Sequence, residues 1–360
     1  MNLMPIRSTI GIDYDFPFLN DMSEPLSYLL LFSDFLEIRP NVLMVLGGMF
    51  LAMVLGSVIR LRALHTASPK KAKNRVDSLK SWWTLFIVFA LVIGLGRIGG
   101  IVFMAILSFL GLREFIRFLP QQQSPWRLVF WAYVAAVLNY VWIYLNWLEI
   151  FVAFIPIGIF LFFPARMLFT GNTRGFLRDV AGLYWGLLLV VFCLSHAAYL
   201  FSLPPGPNPQ GGATGWFLYL VVLTETNDIT QALWGRRFGK HKLTPRISPN
   251  KTREGFFGGF LTTIILAIAL APLLTPFAEP VHLRWSAHSI SISYIWAVMA
   301  GLIITLAGLL GDLTMSAVKR DAGVKDSGAL VPGQGGILDR IDSLTFTAPL
   351  FFYFVYFLYY

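Results

Sequence analysis

Charged residues and cysteine are scarce in this sequence. Asp, Glu, Lys and Arg make up 13% of the 360 residues, whereas a soluble domain carries about 25%. Hydrophobic residues make up 56%, which excludes a cytosolic enzyme, a secreted domain and a disordered protein. The single cysteine, Cys193, can form neither a disulfide framework nor a cysteine-based metal site within one chain.

Long continuous apolar runs take up most of the chain. Such runs are typical of transmembrane helices, whereas the strands of a membrane barrel are about ten residues long and alternate in polarity. The sequence therefore predicts an all-α polytopic integral membrane protein with about ten transmembrane helices, and nine is the alternative count. The runs lie near 41–59, 82–96, 98–112, 127–145, 148–164, 180–201, 214–234, 256–277, 290–311 and 344–359.

The distribution of Lys and Arg predicts the orientation of these helices. Cytoplasmic loops are enriched in basic residues, so the net charge of +9 indicates cytoplasmic loops and no nucleic-acid partner. The loop 60–80 and the loop that follows residue 112 are both basic. Two loops on one side require an even number of crossings, so 82–112 is predicted to hold two helices. The polar loops near the C-terminus then face the cytoplasm.

Three regions follow from this pattern. Residues 1–40 are polar and acidic and are predicted to form an extracytoplasmic lead-in. Residues 41–80 hold the first transmembrane helix and its basic cytoplasmic loop. Residues 81–360 form one transmembrane domain that carries the polar motifs of the chain in its C-terminal loops.

The first polar motif lies inside the predicted span 214–234. Polar side chains within a span are costly and indicate function by default. The run Thr224–Asp228 contains two carboxylates and an amide, which is more than helix packing needs. Its two carboxylates, Glu225 and Asp228, are three residues apart and share roughly one helix face.

The second motif lies in the basic loop 235–255. Glycines let a backbone approach a phosphate closely, and hydroxyls, amides and cations are the usual phosphate donors. The loop combines all of these. Its residues run from Gly235 to Lys242 and from Ser248 to Gly255.

The third motif, residues 311–343, interleaves carboxylates, cations and glycines between two spans. Clustered hard oxygens without His or Cys suit Mg²⁺ rather than zinc. Interleaved Lys and Arg suit a polyphosphate held by that metal. The residues concerned are Asp312, Ser316, Lys319, Arg320, Lys325, Asp326, Gly335, Gly336, Asp339, Arg340 and Asp342.

The third motif resembles the signature of the phosphatidate cytidylyltransferases, or CDP-diacylglycerol synthases. Its pattern S-x2-K-R-x4-K-D-x-G-x3-P-G-x-G-G-x2-D-R-x-D begins at Ser316 with the family spacing kept throughout. The family's upstream S-P-x-K-T-x-E-G motif is matched at 248–255, and its membrane aspartate at Asp228. Two departures are Gln334, where the family has His, and Arg253, where an aromatic residue is usual. Gln cannot take up a proton, although it can still form hydrogen bonds.

The resemblance, which covers about residues 81–360, implies a reaction. The cytidylyl group of CTP would pass to phosphatidate by metal-assisted in-line displacement at the cytoplasmic membrane face, giving CDP-diacylglycerol and pyrophosphate. The expected cofactor is Mg²⁺, and a monovalent cation such as K⁺ beside it is left open.

The resemblance also implies roles for residues. The principal metal ligands would be Asp312 and Asp339, with Asp228, Asp326 and Asp342 as further candidates. The catalytic set would be Asp312, Asp339, Lys319, Arg320, Asp326 and Asp342. The substrate-binding set would be Ser248, Lys251, Glu254, Lys325, Arg340, Asn227, Asp228, Gly335 and Gly336.

The implied partners are CTP and phosphatidate in the bilayer of a bacterial inner membrane, and a homodimer is left open. Two alternatives remain: a cytidylyltransferase for another lipid phosphate, and a catalytically silent homologue in which Gln334 prevents turnover. A transporter is disfavoured because the chain has no inverted repeat.

Overall fold

The computed structural model describes residues 38–62, 69–119, 126–169, 175–280, 293–328 and 335–360. The lead-in predicted for residues 1–40 lies outside the described residues except for its last three. Gln334, which departs from the family pattern, also lies outside them.

Ten long helices and one small hairpin make up most of the described chain. The N-terminal six helices are α1 (Pro40–Arg62), α2 (Pro69–Gly94), α3 (Gly96–Ile116), α4 (Trp126–Tyr144), α5 (Leu148–Leu168) and α6 (Phe176–Ser202). Two of them contain π-helical stretches, Phe154–Ile159 in α5 and Leu187–Cys193 in α6.

The C-terminal half builds the polar part of the molecule. Its elements are α7 (Gly212–Phe238), β1 (Lys242–Thr244), β2 (Ser248–Thr252), α8 (Arg253–Leu274), a 3-10 turn (Pro276–Ala278), α9 (Ile295–Asp321), the short α10 (Leu338–Ile341) and α11 (Leu344–Tyr359). The two strands pair antiparallel, with Lys242 opposite Thr252 and Thr244 opposite Ser248.

The helices have the dimensions of a polytopic membrane protein. Within the described ranges, nine helical segments are long and apolar enough to cross a membrane. The tenth long helix, α7, has 27 residues and carries the polar run Thr224–Asp228. The predicted all-α membrane fold is therefore confirmed, and the chain is an integral membrane protein.

The region 82–112 forms two helices, as predicted. Helices α2 and α3 are separated at Leu95, and Gly96 has a φ of +59°, a conformation that glycine adopts at little cost. The predicted bounds were too narrow. Helix α2 begins at Pro69 inside the predicted loop 60–80, because proline is favoured in the first turn of a helix and the Lys and Arg residues that follow are good helix formers.

Glycines bring the C-terminal helices close together. A Cβ added at Gly259 of α8 would lie 3.1 Å from the backbone nitrogen of Gln231 on α7. One added at Gly308 of α9 would lie 3.2 Å from Asn227 Nδ2, and one at Gly311 would lie 2.5 Å from the Asp342 carbonyl oxygen. Small residues allow such close backbone approach in membrane bundles. Helices α7, α8, α9 and the start of α11 thereby surround one polar region.

Helix α9 extends well past the apolar run that predicted it. The sequence placed residues 312–321 in a loop, but they are helical, and the helix ends at Asp321. Gly323 has a φ of +71°, and the amides of Gly323 and Val324 donate to the carbonyls of Arg320 and Lys319. This is a Schellman termination. The prediction of a loop was wrong because the charged residues continue the helix, which ends only at the Gly323 termination.

Candidate active site

Strand β2 and helix α9 are joined by an ion pair between Lys251 and Asp312. Lys251 Nζ lies 2.6 Å from Asp312 Oδ2, and both side chains are largely buried. Lys251 also donates to Gln231 Oε1 at 3.5 Å. On the other side of the carboxylate, Ser316 Oγ, one helical turn further along α9, donates to Asp312 Oδ1 at 3.2 Å. The end of the hairpin is thereby attached to α7 and α9.

A second ion pair joins α9 to α10. Lys319 Nζ lies 2.6 Å from Asp339 Oδ1, and both side chains are 11% exposed. Asp339 Oδ2 accepts from the backbone nitrogen and the hydroxyl of Ser327, both at 2.9 Å, and from the Gly336 nitrogen at 3.0 Å. Both carboxylate oxygens are therefore occupied, and Asp339 organises the two ends of its own loop.

Two further carboxylates, Asp228 and Asp342, lie within electrostatic range of each other and of Asp312. Asp342 interacts with Asp228 and Asp312, and Asp228 also interacts with Lys251 and Arg340. Three negative charges from three separate segments of the chain repel each other unless cations balance them. This arrangement therefore favours the binding of a cation or of cationic side chains.

The carboxylates present suit Mg²⁺. Asp228 Oδ1 is buried and has no hydrogen-bond partner, so an oxygen ligand is available. In the part of the chain that the structure describes, no three His, Cys, Asp or Glu side chains form a ready metal cage. Mg²⁺ usually binds through one or two carboxylates, substrate phosphates and water rather than in an all-protein cage. The residues that could hold it are Asp228, Asp312 and Asp342, together with Asp339.

The polar run of α7 lies against the neighbouring helices. Asn227 is fully buried, and its Oδ1 accepts from Thr263 Oγ1 of α8 at 3.2 Å. Thr224 Oγ1 donates to Thr347 Oγ1 of α11 at 3.1 Å. Asn227 therefore contributes to helix packing directly beside Asp228, the residue that faces the charged groups.

The predicted binding residues Ser248 and Glu254 belong to the hairpin and its junction with α8. Ser248 begins β2. Glu254 accepts from the backbone nitrogens of Lys240 and His241 at 3.0 and 3.2 Å, and pairs with the His241 ring at 2.6 Å. Thr252 Oγ1 accepts from the Gly255 nitrogen and caps α8. The structure thus uses Glu254 to hold the hairpin in place.

The remaining predicted residues lie at the surface or in the loop backbone. Arg320, Lys325 and Arg340 are exposed, so their positive charges are accessible to a soluble anion, and the Asp326 carboxylate is exposed as well. Gly335 has a φ of +90°. An added Cβ at Gly336 would collide with Ser327 Oγ and Glu114 Oε2. These two glycines are therefore required by the shape of the loop.

One buried residue of the site was missed by the sequence analysis. Glu114 of α3 is fully buried and accepts from Ser327 Oγ at 2.9 Å, Ile337 N at 3.1 Å and Leu338 N at 3.0 Å. Its signal in the sequence was an acidic residue directly after Arg113. The residues after 112 were predicted to form a cytoplasmic loop, and no role was predicted for Glu114.

Comparison with known proteins finds relatives over most of the chain. The cytidylyltransferase family matches residues 76–358. The uncharacterized protein YnbB of Escherichia coli (strain K12) is 41% identical over 310 residues, which cover 86% of this chain and 97% of that protein.

Staphylococcal proteins named phosphatidate cytidylyltransferase match a shorter stretch. The protein of Staphylococcus epidermidis (strain ATCC 35984) is 42% identical over 164 residues, and that of Staphylococcus aureus (strain COL) is 39% identical over 162 residues. Each match covers 44% of this chain and 56% of the relative, so the chain spans about half the length of these two proteins. From the match over residues 76–358, the chain belongs to the cytidylyltransferase family and is a nucleotidyltransferase.

Proposed function

We propose that this protein transfers the cytidylyl group of CTP to phosphatidate and releases pyrophosphate. The observation that carries the proposal is the clustering of carboxylates and lysines from α7, β2, α9 and α10, tied by the ion pairs Lys251–Asp312 and Lys319–Asp339. Such a cluster suits a triphosphate. The names of the staphylococcal relatives favour phosphatidate as the acceptor.

The reaction needs little proton transfer. A phosphate oxygen of phosphatidate attacks the α-phosphorus of CTP, and a new P–O bond forms as the bond to the bridging oxygen breaks and pyrophosphate leaves. A phosphate monoester is largely ionised at pH 7 because its second pKa is about 6. The nucleophile therefore requires no strong general base, and Gln334 is compatible with turnover.

The residues of the site supply charge and alignment. Lys251 and Lys319 neutralise phosphate charge, and the exposed Arg320, Lys325 and Arg340 are assigned to the substrate phosphates as further positive charge. Asp312 and Asp339 are the proposed principal ligands of Mg²⁺, with Asp228, Asp326 and Asp342 as further candidates. When bound, Mg²⁺ neutralises the developing charge on the phosphate oxygens and the leaving group.

The proposed location is the cytoplasmic face of a bacterial inner membrane. The basic segments 60–80 and 235–255 favour this orientation. CTP then arrives from water, while the acyl chains of the acceptor stay in lipid.

The test is pyrophosphate release by the purified protein in mixed micelles of detergent and phosphatidate, with Mg²⁺ and CTP. We expect pyrophosphate release to require both substrates and to fall by about 10²-fold or more in Asp339→Asn. The matched control is Asp321→Asn, which alters an exposed carboxylate at the end of α9 and should leave release unchanged.

The same assay decides between acceptors. Release with a polyprenyl or dialkylglycerol phosphate but not with phosphatidate would move the assignment to another lipid phosphate, the alternative that the general family match leaves open. If no acceptor supports release in the wild-type protein, the proposed function is wrong.

A further inference from the structure

Glu114 contacts both ends of the loop that joins α9 to α10 and leads to Asp339 and Asp342. This carboxylate lies on α3, more than 200 residues away in sequence, and has no exposed surface. It accepts from the hydroxyl of Ser327 at one end of the loop. At the other end it accepts from the backbone nitrogens of Ile337 and Leu338. Glu114 and Asp339 each accept three hydrogen bonds from residues at the ends of this loop.

Glu114 and Asp339 hold the same serine from two directions. Ser327 Oγ lies 2.9 Å from Glu114 Oε2 and 2.9 Å from Asp339 Oδ2. A hydroxyl has one hydrogen, so it donates to one of the two carboxylates at a time. Both carboxylates also accept backbone amides, which keeps each of them bound to the loop when the hydroxyl donates to the other.

The backbone is packed closely around the Glu114 carboxylate. A Cβ added at Gly328 would lie 2.7 Å from Glu114 Oε1, and one added at Gly336 would meet Glu114 Oε2. The glycine of K-D-x-G and the second glycine of the G-G pair are therefore required by the presence of Glu114. The spacing of these glycines is explained by a residue that lies outside the motif.

We propose that Glu114 is a positioning residue for nucleotidyl transfer, a role that rests on the proposed function. By fixing Ile337 and Leu338 at the start of α10, it sets the direction in which Asp339 and Asp342 project. It contacts no substrate and acts through the loop. Partners that orient metal-binding carboxylates in this way typically contribute about 10–100-fold to activity or metal affinity.

The chemistry of the contact requires an acceptor at every position. Ile337, Leu338 and Ser327 all present donors, and a carboxylate offers about four acceptor sites. In Glu114→Gln the side-chain volume is kept, but an NH₂ group replaces one oxygen and faces a donor. A buried donor then loses its hydrogen-bond partner, which is costly. The loop therefore loses its attachment to α3 while the helices stay packed.

The first measurement is amide hydrogen exchange by mass spectrometry on the intact protein without substrates, in detergent. Wild type, Glu114→Gln and the control Glu149→Gln, which alters an exposed glutamate on α5, are compared. We expect faster exchange in Glu114→Gln in peptides covering residues 335–343, no change in peptides of α8, and no change anywhere in the control. This readout does not depend on turnover.

The second measurement is pyrophosphate release by the same variants and by Ser327→Ala. We expect Glu114→Gln to lower kcat by about 10–100-fold. The double variant with Glu114→Gln and Ser327→Ala should lose less activity than the product of the two single-variant losses, because both substitutions remove one shared contact.

The outcomes separate the two proposals. The positioning role is overturned if Glu114→Gln is as active as Glu149→Gln, or if amide exchange at 335–343 is unchanged. It is also overturned if the activity losses of Glu114→Gln and Ser327→Ala multiply fully in the double variant. Faster exchange throughout all helices would also overturn it, since Glu114 would then hold the whole fold. If Glu114→Gln shows the local exchange effect but the wild-type protein shows no turnover, the proposed function is contradicted and the loop contact still stands.

Discussion

At the residue scale, the site depends on lysines and aspartates that each meet a partner from a distant segment. Lys251 meets Asp312, and Lys319 meets Asp339. In a partly buried site, an ion pair that loses one member leaves the other charge uncompensated. The pairs therefore keep the carboxylates and ammonium groups in place before substrate arrives.

Replacing Lys251 should remove a cation that the proposed function assigns to substrate phosphate. We expect Lys251→Met to lower kcat/KM for CTP by about 10²-fold, in line with the loss of one charge-stabilising donor. The matched control is Lys242→Met, which alters an exposed lysine of the same hairpin. Steady-state kinetics with varied CTP provide the measurement, and equal values for the two variants would exclude Lys251 from the site.

Sequence spacing predicted several of the residues that the structure brings together, and did not predict Glu114. Asp228, Lys251, Asp312 and Asp342 were candidates from the polar motifs and their family resemblance, and they fall in one electrostatic cluster. Glu114 is a single acidic residue at the end of an apolar helix. Its role depends on a tertiary contact with a segment more than 200 residues away, and no local pattern encodes that contact.

At the element scale, glycines decide how closely α9 approaches its neighbours. Gly311 lies against the backbone of residues 342–343, and Gly308 lies against Asn227. A side chain at either position would push α9 away from the segment that carries Asp342. The small residues of α9 are therefore as necessary to the site as its charged ones.

Gly311→Ala should destabilise the bundle and weaken activity together. An added Cβ would meet a backbone carbonyl oxygen at 2.5 Å, and overpacking of this kind costs about 1–3 kcal/mol. Thermal unfolding in detergent should show a lowered midpoint. The matched control, Gly56→Ala on α1, has no atom within 4 Å of the added carbon, so its midpoint should not fall, and an equal loss in both variants would contradict the packing argument.

The existence of the helices was predictable, whereas their ends in the polar region were not. Apolar length alone identified α9, but the helix continues through Asp312, Ser316 and Lys319 to Asp321. Hydropathy does not predict this extension. The extension is stabilised by the Ser316–Asp312 hydrogen bond, the Lys319 ion pair and the glycine-based termination. The charged residues therefore lie on a rigid helix rather than on a loop.

At the scale of the whole molecule, the bundle places a hydrophilic site among helices that are otherwise apolar. The proposed orientation puts the hairpin in the cytoplasm and the segment 203–211 outside. This follows from the basic residues of 235–255 and from the absence of Lys and Arg in 202–213. A reversed orientation would deprive the site of cytoplasmic CTP.

The orientation can be tested by cysteine labelling in the Cys193→Ser background. A membrane-impermeant maleimide should label Gly206→Cys on intact cells and should label Lys240→Cys only after the membrane is opened. Both positions are exposed in the structure, so accessibility to the protein surface is matched. Labelling of Lys240→Cys on intact cells would contradict the cytoplasmic assignment.

The central claim is that the cytidylyl group passes from CTP to a lipid phosphate, and label transfer tests it most directly. Purified protein is incubated with phosphatidate, Mg²⁺ and CTP labelled with ³²P at either the α- or the γ-phosphate. We predict that the α-label enters the chloroform-extractable lipid and that the γ-label appears only in pyrophosphate. Breakdown of CTP into water-soluble labelled products with no labelled lipid would contradict the account. The protein would then hydrolyse CTP rather than transfer its cytidylyl group.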